Sequence, residues 1–312
     1  MKQSSFFFNL LFIGLTATSF MACSADEDTT PQPQPKSIAQ IAAADAQFST
    51  LVSALQRVNL VSVLDGSGNF TVFAPTNAAF QASGINLNTL SDDQLKAVLL
   101  YHVLGNTVKS SEIKEGQTYV TTASGTGPSG KNLSMLIEKA ASSVKINNVA
   151  SVTAADINAT NGVIHVVDKV ILPLDIVGHA VANSNFSLLV STLGSASGGL
   201  VNVLNGTGPF TVFAPVNNAF NAIATVAATL SPDQLAKVLT YHVIAGNVVS
   251  GDLTNNMMVT TVNGEQFEVK ISNNTVTIKD AQGNAATVVL TDVQATNGVI
   301  HVLDKVILPN NL

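Results

Sequence analysis

Five histidines carry most of the proton chemistry this chain could offer near neutral pH: His102, His165, His179, His242 and His301. Histidine is the side chain whose ordinary charge change falls between pH 5 and 8, so a general base or a metal ligand would be sought there first. His165 and Asp168 suggest a catalytic dyad. Residues three apart on a regular strand point to opposite faces, however, and this pair lies in a β-rich run, so a direct hydrogen bond is not expected. His102 follows Leu95, Val98 and Leu99 at helical spacing, and His242 follows Leu235, Val238 and Leu239 in the same way. That spacing puts each ring on an apolar helix face, where a buried, hydrogen-bonded core histidine is the expected role. The segment from Gly125 to Gly130 is rich in glycine but lacks the lysine and following helix of a phosphate loop, and reads as a hairpin end. The chain has neither a Gly-x-Ser-x-Gly elbow nor a His-Glu-x-x-His helix, and no carboxylate pair on one face with aromatic neighbours. No catalytic residue, metal or cofactor is assigned.

The elements that hold these residues are written twice. Phe70-Thr-Val-Phe-Ala-Pro75 recurs as Phe210 to Pro215, Leu90 to Leu95 as Leu230 to Leu235, and Tyr101-His102-Val103 as Tyr241-His242-Val243. Ala159 to Val166 recurs as Ala295 to Val302, and both copies run on to Ile-Leu-Pro. The offset is 140 residues for the first three blocks and 136 for the last, too long for a solenoid repeat and right for two whole domains. Ser91 with Gln94, and Ser231 with Gln234, are capping boxes, and Pro232 suits a first helical position. Asn161-Gly162 and Asn297-Gly298 predict tight hairpin turns with positive φ at both central positions. Val163 to Leu172 and Val299 to Leu308 read as apolar strands in the middle of a sheet covered on both faces. Phe70 to Pro75 reads as a short strand ended by proline, with a helix just beyond.

Charge narrows the partners. The formal net charge is −6, Arg57 is the single arginine, and the lysines are scattered. A nucleic-acid binder needs a clustered basic footprint, so nucleic acid is excluded. Hydrophobic residues make up 46 % and charged residues 11 %, the balance of a packed protein rather than a disordered one. Residues 1–22 read as a signal peptide: Lys2, then an apolar run from Phe6 to Phe20 that is shorter than the ~20 residues a membrane span needs. It stops at Ala22-Cys23, where the sole cysteine resembles the lipidated first residue of a mature bacterial lipoprotein; Phe20 stands where leucine is usual. Residues 23–36 are then an extended spacer with Pro31, Pro33 and Pro35 between glutamines. Its acidic Asp26-Glu27-Asp28 fits either a solvated linker or the surface-export signal of some Gram-negative lipoproteins. The expected location is the cell envelope, lipid-anchored at the outer membrane through Cys23 alone and exposed at the surface.

The duplicated blocks resemble the fasciclin, or FAS1, domain. Phe70 to Phe80 is similar to its first motif, Ala159 to Pro173 to its second, and Tyr101-His102 to the tyrosine–histidine motif between them; all three recur in order in the second copy. The resemblance covers residues 37–173 and 174–312. It implies an α+β protein of two tandem domains, each a β-sandwich or wedge with packed helices. It also implies adhesion at the cell surface or to extracellular matrix, with Tyr101, His102, Tyr241 and His242 as the recognition motif. Surface proteins or glycans of matrix or neighbouring cells would be the partners. A glycan-capture lipoprotein serving nutrient uptake is the alternative, weakened by the absence of Trp. One departure is Val216 in place of Thr76, which removes a hydroxyl cap and leaves Asn217 as the expected cap of that helix.

Overall fold

A computed structural model describes residues 34–312; Cys23, the signal peptide and most of the spacer lie outside the described residues. The first copy begins with three helices, α1 (Ile38–Ala44), α2 (Ser49–Arg57) and α3 (Val61–Asp65). Strand β1 (Phe70–Pro75), helices α4 (Asn77–Ala82) and α5 (Asp92–Tyr101) and strand β2 (Val103–Leu104) follow. A run of strands completes the domain: β3 (Gly116–Thr121), β4 (Ser134–Ala140), β5 (Ser143–Ile146), β6 (Ala150–Ala159) and β7 (Gly162–Val167). The second copy repeats the plan with α6 (Ile176–Ala182), α7 (Ser187–Ser195), α8 (Leu200–Leu204), β8 (Phe210–Pro215), α9 (Asn217–Ala222), α10 (Ala224–Ala227), α11 (Pro232–Tyr241) and β9 (Val243–Ala245). Its last strands are β10 (Met258–Thr260), β11 (Gln266–Ser272), β12 (Thr275–Lys279), β13 (Ala285–Ala295) and β14 (Gly298–Leu303).

Each copy builds one seven-stranded sheet, ordered β2-β1-β7-β6-β5-β4-β3 and β9-β8-β14-β13-β12-β11-β10. The apolar strands β7 and β14 sit inside their sheets, each parallel to the Phe-Thr-Val-Phe-Ala-Pro strand on one side and antiparallel to a long bulged strand on the other. Alternation then divides the core in two. Val72 and Ala74 pack with the helices, while Phe73 packs with Tyr101, Met135 and Ile137 inside the curled sheet. Val212, Ala214 and Phe213 divide in the same way in the second copy. The α+β wedge with packed helices follows from that division: one strand serves both a helix layer and a strand layer.

Local chemistry starts the helices where the sequence placed them. Both capping boxes are formed, with each serine hydroxyl accepting the N3 amide and each glutamine reaching back to the cap amide. Three expectations need correction. The hairpin loops centre on Thr160-Asn161 and Thr296-Asn297, because Gly162 and Gly298 already pair with Ala159 and Ala295; φ is positive at neither asparagine. The glycines are needed for a different reason. A Cβ at Gly162 would lie 2.0 Å from the Phe70 carbonyl oxygen. Helix α9 has no side-chain cap, since Asn217 turns away and its Oδ1 accepts the Leu188 amide of α7. The strands over 163–172 and 299–308 end at Val167 and Leu303, after which the chain is irregular.

Candidate functional site

Tyr101 and His102 close the end of α5, and Tyr241 and His242 close α11. The helices stop at the tyrosines, so each histidine is the C-cap rather than part of the apolar stripe, but the rings are buried nonetheless, at 2 % and 3 % exposure. His102 Nδ1 donates to the Val98 carbonyl at 2.7 Å, and its Nε2 accepts the Ile171 amide at 2.9 Å. His242 repeats this with Val238 at 2.8 Å and Ile307 at 3.1 Å. One ring therefore caps a helix carbonyl and pins the apolar segment after the central strand. Each ring is held in a single neutral tautomer: a proton added at Nε2 would confront an amide N–H. Burial moves both rings from 6.5 down to about 4, against a smaller upward pull from the backbone carbonyl. The tyrosines are buried too. Tyr101 donates to the Ser134 carbonyl and accepts from Asn147, while Tyr241 donates to the Gln266 carbonyl and accepts the Ala281 amide. The four residues tie helix ends to neighbouring segments and present almost no surface outward.

His165 and His301 are engaged just as fully. His165 Nδ1 accepts the Asp156 amide at 3.2 Å and Nε2 donates to the Val108 carbonyl at 2.9 Å. Asp156 sits at a bulge of β6 with φ +61°, and its carboxylate takes the Ser110 hydroxyl and amide, which hold it below the usual carboxylate range. His301, Asp292, Ser250 and Val248 repeat the network. Asp168 instead accepts the Ser151 amide at 2.6 Å, so the His165–Asp168 dyad is not assembled. Among the described residues no cluster of three His, Cys, Asp or Glu side chains could hold a metal ion.

Where the two domains meet, the pattern changes. Gln117 of β3 bonds Ser184 and Asn185, Asn183 donates to the Tyr119 hydroxyl at 3.2 Å, and the Gln294 amide donates to Ser134 Oγ at 2.9 Å. His179 of α6 is fully buried there, its ring 5.6 Å from that of Tyr119 in an edge-on contact. Neither ring nitrogen reaches a hydrogen-bond partner. Burial drives this imidazole from 6.5 to about 4 and pushes the Tyr119 phenol up to about 12. Beside it a crevice of about 330 Å³ is edged by Gln117, Asn183 and Asn185, with Val289 and Leu290 exposed at its margin. Its amides both donate and accept, and the described lining residues carry no charge.

The family profile described as "Fasciclin domain" matches this chain twice, over residues 46–173 and 184–309. The chain belongs to the fasciclin-domain family. It is 30 % identical over 275 residues to pig transforming growth factor-beta-induced protein ig-h3, which aligns with 86 % of this chain and 37 % of the pig protein. It is 43 % identical over 141 residues to protein sll1483 of Synechocystis, covering 44 % of this chain and 74 % of that one. A fasciclin-like arabinogalactan protein of Arthroderma benhamiae is 27 % identical and aligns with 96 % of this chain and 70 % of its own. A solved FAS1 domain pair from the insect cell adhesion molecule fasciclin I aligns with 82 % of this chain and 92 % of its own, at 20 % identity and TM-score 0.49. The chain thus spans little more than a third of the pig relative it matches.

In both fasciclin domains the tyrosine–histidine pair was legible in the sequence, but its partners were not. Asn161 is the main omission: its Oδ1 accepts the Ile38 amide and its Nδ2 donates to the Leu64 and Gly66 carbonyls, and Asn297 repeats all three bonds. Ser110, Asp156, Ser250 and Asp292 belong to no motif that the sequence singles out, yet they form the bulge networks. Their appearance in both fasciclin copies at matching positions was the available signal. Tyr119 and His179 have no such signal, because they act only where the two domains touch.

Proposed function

We propose that this chain is a non-enzymatic adhesion protein of the cell envelope, anchored through lipid on Cys23 and binding matrix or neighbouring-cell surfaces with its paired fasciclin domains. The carrying observation is that every histidine shared by the two domains spends both ring nitrogens on the protein's own backbone. A general base must reach substrate, and these cannot. The working parts are then the outer surfaces and the crevice between the domains. A relative named as a fasciclin-like arabinogalactan protein supports a cell-surface class of function.

Glycan capture for nutrient uptake is the second reading, favoured by the uncharged, amide-edged crevice, since paired donors and acceptors suit sugar hydroxyls. The test is a deletion strain scored for surface attachment and for growth on single polysaccharides. Adhesion predicts loss of attachment with growth intact; glycan capture predicts the reverse. Attachment and growth both unchanged would overturn both readings. For the anchor, Cys23→Ala should release the protein from the membrane fraction, and unchanged fractionation would exclude lipidation.

A further inference from the structure

The two fasciclin domains share the same apolar layer between helices and sheet, but that layer is not equally full. In the first domain the space beneath α1, α2 and α3 amounts to about 20 Å³. In the second, the equivalent space beneath α6, α7 and α8 is about 80 Å³. An apolar void of ~150 Å³ stays dry and takes up benzene, so one about half that size suits a slimmer guest.

Substitutions at matching positions accompany the difference. Leu100 of the first domain becomes Thr240, trimming the wall. Arg57, which clamps α2 to the Leu87 and Leu90 carbonyls and to Asp92, becomes Ser195. Asp65, bonded to Ser37, becomes Asn205. The short link Val58-Asn59 becomes Ala196-Ser197-Gly198-Gly199, two residues longer and glycine-rich. The helix layer over the cavity has therefore lost both its cationic clamp and its short tether. Val203 and Val262 edge the space and stand about half exposed, which opens it to the surface.

The lining also fixes the chemistry of the guest. Its two polar side chains are already spent: the Thr240 hydroxyl on the Ala236 and Lys237 carbonyls, and the His242 ring on Val238 and Ile307. Among the described lining residues no side-chain donor is left for a ligand and the walls are almost wholly apolar, so a polar group entering would lose water with little to replace it. We propose that the second fasciclin domain binds the end of a single alkyl or acyl chain in this cavity, entering past Val203 and Val262 with its polar head in solvent, and that the first domain has the same site closed.

The chain contains no Trp, so one placed at the mouth is an unambiguous reporter. Val203→Trp and, at the matching exposed position of the first domain, Val63→Trp are prepared in the full chain and titrated with decanoic acid and, separately, with phosphatidylcholine vesicles. A saturable emission change at Trp in position 203, at least tenfold tighter than any at position 63, is expected. Response to decanoic acid alone identifies a free amphiphile as the source of the chain, and response to vesicles alone a membrane lipid. Adding Thr240→Leu, which restores the side chain of the first domain, should weaken binding at least tenfold while the protein melts no earlier. Methyl NMR shifts of Leu200 and Leu204 in the unsubstituted chain check that the reporter did not create the site. Equal response at both positions, indifference to Thr240→Leu in folded protein, or unmoved methyl signals would overturn the proposal.

Discussion

Mild acid should weaken the second fasciclin domain more than the first. The perturbation is a drop from pH 7 to pH 5. A histidine whose folded pKa lies below its unfolded 6.5 binds fewer protons when folded, so its contribution to stability is complete above 6.5 and is lost as pH falls toward the folded value. For a ring at about 4 the loss is about 2 kcal/mol at pH 5 and reaches about 3 kcal/mol well below pH 4. The first domain carries one such ring, His102; the second carries His242 and His179, and His301 is also lowered by burial. The lowered carboxyls of Asp45 and Asp156 stay ionised at pH 5 and add nothing in this window. The first domain should therefore lose about 2 kcal/mol and the second about 4, a large share of the ~5–15 kcal/mol that holds a typical domain. Urea unfolding at the two pH values, followed residue by residue with amide NMR, separates the domains. Unfolding midpoints that do not move, or imidazole signals of His102 and His242 titrating near 6.5 in folded protein, would refute the reasoning.

Three further outcomes can be checked with the same instruments. Asn161→Ala, and likewise Asn297→Ala, leaves a buried amide and two carbonyls without partners and should cost about 2–4 kcal/mol in urea unfolding, with the loss confined to its own domain. Val216→Thr supplies the hydroxyl that Thr76 gives α4 and should stabilise the second domain by about 0.5–1 kcal/mol in thermal melts. His179→Ile, using the residue found at the matching Ile41, should raise stability at pH 7 and reduce the second domain's loss at pH 5 to about 2 kcal/mol, read from the same urea series.

The fold was legible wherever a rule acts over a few neighbouring residues. Capping boxes at Ser91 and Ser231, the helix after Pro75 and the interior strand from Val163 all depend on local spacing, and all formed. For Asn161-Gly162 the dipeptide alone predicts the tightest hairpin turn, and the structure departs from it. A contact about 95 residues away decided otherwise: the asparagine side chain is drawn to Leu64 and Gly66, and the glycine is demanded by the Phe70 carbonyl. Asn217 failed for a related reason. As a cap for its own helix it would make a local bond, but it serves α7, some thirty residues earlier. Partners set by tertiary packing leave no periodic trace, which is also why the bonds of His102 to Ile171 and His165 to Val108 could not be read in advance.

Because the chain contains the same domain twice, it carries its own control for separating architecture from specialised function. A bond the fold requires must be made in each copy. The paired histidines, the Ser–Asp bulge networks and the three-way asparagine anchors meet that condition bond for bond. Features present in one copy are free of that requirement, and each exacts a stability cost the other copy avoids. His179 buries an unpartnered ring where the first domain has Ile41, and the second domain leaves a void and a slack helix tether where the first has Leu100 and the Arg57 clamp. Unsatisfied polar groups and cavities cost on the order of a kilocalorie per mole or more. Such costs persist where something else gains from them, so the seam at His179 and the cavity behind Thr240, rather than the buried tyrosine–histidine pairs, are where the function particular to this protein should be sought.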